Sequence, residues 1–431
     1  MPFETPHPPR RIAIIGGGIS GLAAAWLLKS DHRVTLFEAA PRLGGHARTV
    51  IAGKRGDQPV DTGFIVFNRV NYPHMCAMFH ELRVPVVNSD MSFGASLDGG
   101  RFEYGLKDAR AMFAQPRNAL DPRFLRMIRD ILRFNARALG AAQDPDLSLR
   151  DFLDRIGTGA WFRDRYLLPL SGAIWSTPAQ GILDFPAQAL VRFFDNHALL
   201  HHSGQHQWLT VEGGSVEYVR RLSLALKRAG VALRTGTPVR GIRRDAAGAI
   251  VTTETDEPEA FDDVILATHS DQALALLADV RPEERAALGA IRYQPNRAVL
   301  HADASVMPRR RPTWSSWNYC VPAGPPPERI ALTYWMNSLQ PIPKDDPLFV
   351  TLNPTQAIDP ALIQDQVDFA HPVYDAAAQL GRARIAAMNG AHATWFCGAW
   401  MRDGFHEDGF ASAVDVAQRM AQRGAAPVAA E

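Results

Sequence analysis

Gly16, Gly18 and Gly21 are spaced G-x-G-x-x-G, and Glu38 follows about 20 residues further on. Residues of these types at this spacing could hold a dinucleotide. Gly16 permits a tight turn, Gly18 lets backbone come close to a pyrophosphate, and Gly21 lets a helix pack closely on a strand. Free N–H groups at the helix start, around Ser20, attract phosphate oxygens. The Glu38–Ala39 corner offers a carboxylate to ribose hydroxyls. Two histidines are the other candidates. His406 stands just before a helix and could act as acid or base, or could only cap that helix. His197, next to Asn196, could face a substrate, although a histidine satisfied within the core explains it equally well.

Such residues work only if the right elements frame them. Ile12-Ala13-Ile14-Ile15 is a short apolar run that reads as a buried strand. Leu22 to Leu28 reads as a helix, and Arg33 to Glu38 as a second strand ending on the carboxylate. Strand, glycine turn, helix, strand and Glu therefore fall in the order a Rossmann unit requires.

The next residues are Arg42-Leu43-Gly44-Gly45-His46-Ala47-Arg48-Thr49. Continuation from the acidic residue into L-G-G and a Thr resembles the flavin amine oxidase and phytoene desaturase superfamily of FAD-dependent oxidoreductases. The resemblance implies that the dinucleotide is FAD and that Arg42 and the Gly44–Gly45 turn approach its pyrophosphate. It further implies that Thr62, Gly63 and Phe64 pass beside the flavin ring, where a strand with a Gly bulge is the plainer reading. Val211-Glu212-Gly213-Gly214-Ser215 is similar to the superfamily's return to the cofactor domain, and the backbone of Val239 corresponds to the position that receives adenine. Gly398 matches a C-terminal strand end, and Gly409 and Phe410 open a helix whose N–H groups would face the flavin pyrimidine.

Three departures from the superfamily pattern bear on chemistry. Ala399 stands where relatives carry Asp. Gln294-Pro295-Asn296-Arg297 has no Lys, which many amine oxidases place near flavin N5. Phe405-His406 replaces the aromatic cage residue.

The chain of 431 residues is long enough for two domains, and its net charge of +1 excludes a global basic field for nucleic acid. Its three cysteines form no C-x-x-C pair, so a reducing, cytoplasmic setting is the simpler reading. No signal peptide and no apolar run of membrane-spanning length is evident. Nothing in the sequence sets an oligomeric state. His197, His201, His202 and His206 crowd one stretch, but no carboxylate or Cys lies among them, and no metal is expected there.

The expected fold is α/β: a Rossmann-type FAD-binding domain with an inserted α+β substrate domain, an antiparallel sheet plus a helical cap. The FAD domain is discontinuous, 1–70, 207–281 and 384–431. The substrate domain takes 71–206 and 282–383. Within the cap, Pro122 to Ala142 reads as a helix with Phe124, Leu125, Ile128, Ile131, Leu132 and Leu139 interleaved with five arginines. Such a helix can lie on an anionic bilayer, or its arginines are simply solvated.

Aromatic residues of the second domain could wall a greasy cavity or be core. No second dinucleotide motif appears, so no NAD(P)H site is expected. The expected function is oxidation or desaturation of an apolar, lipid or fatty-acyl substrate, with hydride passing to flavin N5 and His406 as base. A flavin amine oxidase and a redox-neutral fatty-acid double-bond isomerase are the alternatives.

Overall fold

Short apolar runs punctuated by glycine build a five-stranded parallel sheet. In a computed structural model, the structure describes residues 8–144, 146–175, 182–200, 205–245, 247–255, 257–324 and 329–425. Strand Arg11–Ile15 lies at the centre, between Arg33–Glu38 and Asp263–Leu266. Ala232–Thr235 and Thr394–Phe396 form the edges. Ile12, Ala13 and Ile14 are wholly buried, as a strand covered on both faces requires. The carboxyl ends of the strands all lead to one edge of the sheet. There the chain places the Gly16 turn, Glu38, Ala267–His269 and Gly398.

The expected strand Val231–Val239 is two strands. Gly236, with φ +63°, and Pro238 interrupt it, because Pro has no N–H for a ladder. Ala232–Thr235 joins the parallel sheet, and Val239–Arg244 starts a three-stranded antiparallel sheet. The Val60–Asn68 stretch also divides. Gln58–Asp61 pairs with Thr49–Ala52, whereas Val66–Asn68 pairs with Trp208–Val211. Thr62 to Ile65 cross between them, and a Cβ on Gly63 would overlap the His46 carbonyl oxygen.

The second large sheet has seven strands, in the order Ile363–Pro372, Tyr293–His301, Phe349–Leu352, Leu332–Trp335, Trp317–Cys320, Phe93–Leu97 and Phe102–Gly105. Its last two strands lie in a region whose sequence reads as helical. The sheet expected to be antiparallel contains one parallel junction, Phe93–Leu97 against Trp317–Cys320. Phe93, Ala95, Leu97, Phe102 and Tyr104 alternate toward the core, but strands of five and four residues are too short for that period to stand out beside the helical pattern that follows. Helices Pro122–Ala141, Leu149–Ile156 and Ala187–Asn196 cap this end and share one core through Phe124, Phe134, Phe152 and Phe194.

Helices Pro282–Leu288 and Ala376–Met388 do not follow the expected boundary. Ala287, Leu288, Ala378 and Ile385 pack with Leu266 and Phe396, so their apolar faces complete the parallel-sheet core. His201 and His202 lie outside the described residues. Among the described residues, no helix is long and apolar enough to cross a membrane.

Gly21 is the tightest constraint on this architecture. A Cβ there would overlap the Gly16 carbonyl oxygen, and the backbone cannot yield without opening the turn. Gly21→Ala is expected to destabilise the protein by about 2 kcal/mol and to lower flavin retention. Urea denaturation and the visible flavin spectrum read the two effects.

Candidate functional site

The helix Ile19–Leu28 begins at Gly18, and no side chain caps it. Gly18 has no atom within 4 Å of where a Cβ would stand, so the helix start opens onto free space. Gly16 adopts φ +108° and donates its N–H to Phe37 O at 2.8 Å. The second glycine turn seats on the first. Gly44 N donates to Gly17 O at 2.8 Å, and a Cβ on Gly45 would stand 3.1 Å from the Gly18 Cα. An uncapped helix end enclosed by glycine is a cradle that phosphate oxygens fill. These residues fit a dinucleotide.

Glu38 accepts from Gly17 N at 2.6 Å and Ala40 N at 2.8 Å, so its carboxylate is fixed at the strand end beside exposed Ala39. Gly236 N and Thr237 N donate to Ala40 O and Glu38 O, which brings the segment leading to Val239 alongside. Arg42 turns its guanidinium onto the carbonyls of Gly45 and Ala47, at 3.0 and 3.3 Å. It therefore braces the second glycine turn. Burial and the neighbouring Arg48 lower the Arg42 pKa.

Two expectations about the C-terminal segment change. The helix starts at His406, and Gly409 N already donates to Phe405 O at 3.2 Å. Amides free at a helix start belong to its first residues, here His406, Glu407 and Asp408, rather than Gly409 to Ala411. Gly409 instead lets this helix approach the first one, since a Cβ would stand 2.7 Å from Ile19 Cγ2 and 2.8 Å from Ser20 Oγ. Phe410 is buried in the core. Gly398 N donates to Ser412 Oγ at 2.9 Å, which ties the strand end to the helix without the missing Asp.

His406 and Phe64 meet face to face, with ring centroids 4.0 Å apart and planes 9° from parallel. The His406 Nε2 lies 2.6 Å from the Tyr218 hydroxyl. Tyr218 is fully buried, and burial pushes its pKa far up, so the hydroxyl keeps its proton. Its only hydrogen-bond partner among the described residues is this imidazole, so the hydroxyl donates to Nε2. The neutral ring then carries its proton on Nδ1. Burial lowers the His406 pKa to about 3, which narrows the base expected from the sequence. In this tautomer His406 presents an N–H donor. His197 caps the helix Ala187–Asn196, with Nδ1 2.9 Å from Phe193 O, and its ring centroid lies 5.8 Å from that of Phe405.

Three further histidines come together that no sequence motif singles out. His46 stacks on Phe369 at 4.7 Å, and its ring lies 5.7 Å from His371 and 5.9 Å from His269. Burial above all, together with the neighbouring His371, His269 and His406, lowers the His46 pKa to about 3. Burial also lowers His371 to about 4 and depresses His269. Asn353 donates to Asn296 Oδ1 at 2.7 Å, and Asn296 Nδ2 donates to His371 Nδ1 at 2.7 Å. This relay fixes the His371 proton on Nε2. Asn296 belongs to the segment that lacks Lys, and that substitution was the one sequence signal pointing here.

Asp61 was also missed. Its buried carboxylate accepts from Ser215 N, Ser215 Oγ, Thr49 Oγ1 and Gln340 Nε2 at 2.6–3.0 Å. Burial raises its pKa to about 6. The adjoining Thr62 receives a hydrogen bond from Arg48, which pairs with Asp365 at 2.5 Å.

Tyr218→Phe leaves Nε2 of His406 without its donor. It is expected to cost about 1 kcal/mol of stability and to slow substrate-dependent flavin reduction. Thermal denaturation and stopped-flow absorbance measure these. A pH effect follows as well. Below about pH 6.5 the unfolded chain binds protons at His46, His371 and His406 that the folded chain refuses, so stability present at neutral pH is lost as pH falls. Each histidine should weaken the fold by on the order of 2 kcal/mol between pH 7 and pH 5, seen as a falling denaturation midpoint.

Residues 19–303 match the model of the family described as flavin containing amine oxidoreductase. A coproporphyrinogen III oxidase of Mycobacterium tuberculosis is 44% identical over 78 residues, which are 17% of this chain and 16% of that one. The match thus spans about one sixth of that relative's length. Among solved structures, a CLA-producing fatty acid isomerase from P. acnes superposes with a TM-score of 0.68 at 15% identity, covering 96% of this chain and 99% of that one. Wild-type putrescine oxidase bound to putrescine gives 0.67 at 16% identity over 96% and 99%. These two share the fold. The glycine cradle, the strand-end Glu38 and the family match agree: the chain belongs to the flavin containing amine oxidoreductases, and its cofactor is FAD.

Proposed function

We propose that this protein is an FAD-dependent oxidoreductase that oxidises or desaturates an apolar, fatty-acyl type of substrate in the cytoplasm. One observation carries the reading. The polar side chains brought together around His46 are imidazoles held neutral by burial, and aromatic rings fill the intervals. A cationic amine finds no counter-ion in such a wall, and contact with aromatic faces offsets only part of its desolvation cost. An uncharged chain gains from contact with Phe64, Phe369, Phe405 and Tyr293. The segment without Lys points the same way.

FAD, when bound, supplies a two-electron acceptor. The chain's own part is to orient, exclude water and donate hydrogen bonds. We propose residues 1–70, 207–281 and 384–431 for holding the cofactor, with the helices Pro282–Leu288 and Ala376–Met388 packed on that domain, and the remainder of 71–206 and 282–383 for the substrate. Ser20, Ala39, Thr62, Gly63 and Val239 belong to the cofactor contacts in this reading. His406, oriented by Tyr218, offers its Nδ1 proton to a polar atom in the site. His197, held by Phe193 O, lines the same apolar wall through Phe405.

Anaerobic addition of unsaturated and branched fatty acids and their thioesters tests the reading. Bleaching of the bound flavin near its visible maximum is the expected result. Peroxide release with amines and no bleaching by any acyl compound would assign a true amine oxidase. An acyl product of unchanged mass with no oxygen consumed would assign an isomerase. His406→Ala is expected to slow bleaching about 100-fold, and a wild-type rate would remove His406 from the chemistry.

A further inference from the structure

The outer face of the arginine helix, Pro122–Ala141, is unused by the site and does not look like ordinary solvated surface. Its inner face is buried through Phe124, Met127, Phe134 and Ala138. Three more leucines point outward: Leu125, Leu132 and Leu139 are 47%, 56% and 42% exposed. A spacing of seven residues keeps them on one line of the helix. Leu120 and Phe113, 85% and 39% exposed, lie in the segment just before it. Five of the eleven large exposed hydrophobics among the described residues therefore fall within 113–139, a concentration that scattered surface leucines do not produce.

Charge decides what covers this stripe. Arg126, Arg129, Arg133 and Arg137 run beside the leucines. The helix has one carboxylate, Asp130, and it is turned inward and buried. Among the described residues, Arg126 and Arg137 have no carboxylate partner. Arg133 donates to the neutral Gly157 carbonyl at 2.6 Å. The whole chain carries a net charge of only +1, so this cationic face is local. Arg129 alone of the four reaches the buried Asp130, at 3.7 Å. Leucines flanked by three arginines without a carboxylate partner among the described residues suit a surface that is apolar within and anionic at its rim.

We propose that this helix docks the enzyme on an anionic lipid bilayer, with the leucine line in the acyl boundary and the arginines at the phosphates. The helix's inner face joins a core that includes Phe193 and Phe194 and reaches Phe405, the neighbour of His406. Side chains between the docked face and the site are thus apolar, which is the environment an acyl chain needs on leaving a bilayer. The proposal extends the acyl-substrate reading, but it rests on surface residues outside the site.

Sedimentation of the flavin-loaded protein with vesicles of phosphatidylcholine, with and without phosphatidylglycerol, tests it. Binding is expected to be at least about tenfold stronger on the anionic vesicles and to weaken as salt is raised. The triple variant Leu125→Gln, Leu132→Gln, Leu139→Gln and the double variant Arg126→Glu, Arg137→Glu should each lose about tenfold in binding. Both should keep wild-type flavin content, denaturation midpoint and activity in detergent. No binding to anionic vesicles, or wild-type binding by both variants, would overturn the proposal. A concentration-dependent dimer abolished by the leucine changes would give the face to a second copy of the chain and overturn it as well. Failure of acyl substrates to bleach the flavin, with vesicle binding intact, would count only against the substrate reading.

Discussion

A single buried carboxylate joins the parts of this molecule that must meet. Asp61 gathers the Thr49 hydroxyl, the Ser215 amide and hydroxyl, and the Gln340 side chain. These partners come from the strand after the second glycine turn, the return segment, and the loop between Leu332–Trp335 and Phe349–Leu352 of the seven-stranded sheet. Burying a carboxylate is costly, and its raised pKa expresses that cost. Convergent donors offset it, but only while all of them stay in place. Thr62, Gly63 and Phe64 follow directly, so the knot also sets where Phe64 presents its face to His406.

The site beyond Phe64 has an unusual electrical character. Burial holds His46, His371 and His406 neutral, and their mutual proximity strengthens the effect at His46. Fixed tautomers give two of these rings a defined face. Tyr218 directs the proton of His406 to Nδ1, and the Asn353–Asn296 relay directs that of His371 to Nε2. Polar direction without net charge is what orients an uncharged substrate in a low-dielectric space. Because the same burial refuses protons, such a wall is bound to weaken in acid.

The cofactor half was legible because its grammar is local. Gly16, Gly18, Gly21 and Glu38 declare a turn, an open helix start and a strand-end carboxylate within a single βαβ unit, and each residue type has one physical reason for its place. The basic amphipathic helix was legible for a similar reason, since its period is written along consecutive residues. Legibility failed where residues were satisfied by distant partners. The Phe93–Gly105 hairpin alternates, but over strands of only five and four residues, too short to stand out beside the helices that follow. The start of the C-terminal helix was misplaced by a turn because Gly409 reads as a boundary and serves instead as a packing contact with Ser20.

The amino-acid sequence by itself determined the dinucleotide cradle, the two kinds of sheet and the family. Short-range sterics of glycine and the periods of apolar residues suffice for the cradle and the sheets, and the L-G-G continuation carries the resemblance to the family. Only the tertiary structure decided which side chains come together next to that cradle. His46, His269, His371 and His406 are scattered over some 360 residues of chain; only His406 stands out in the sequence, and each of the other three reads alone as an ordinary core or surface histidine. Their depressed basicity and fixed protons arise from packing against one another and against buried partners, and such environments exist only once the sheets have come together.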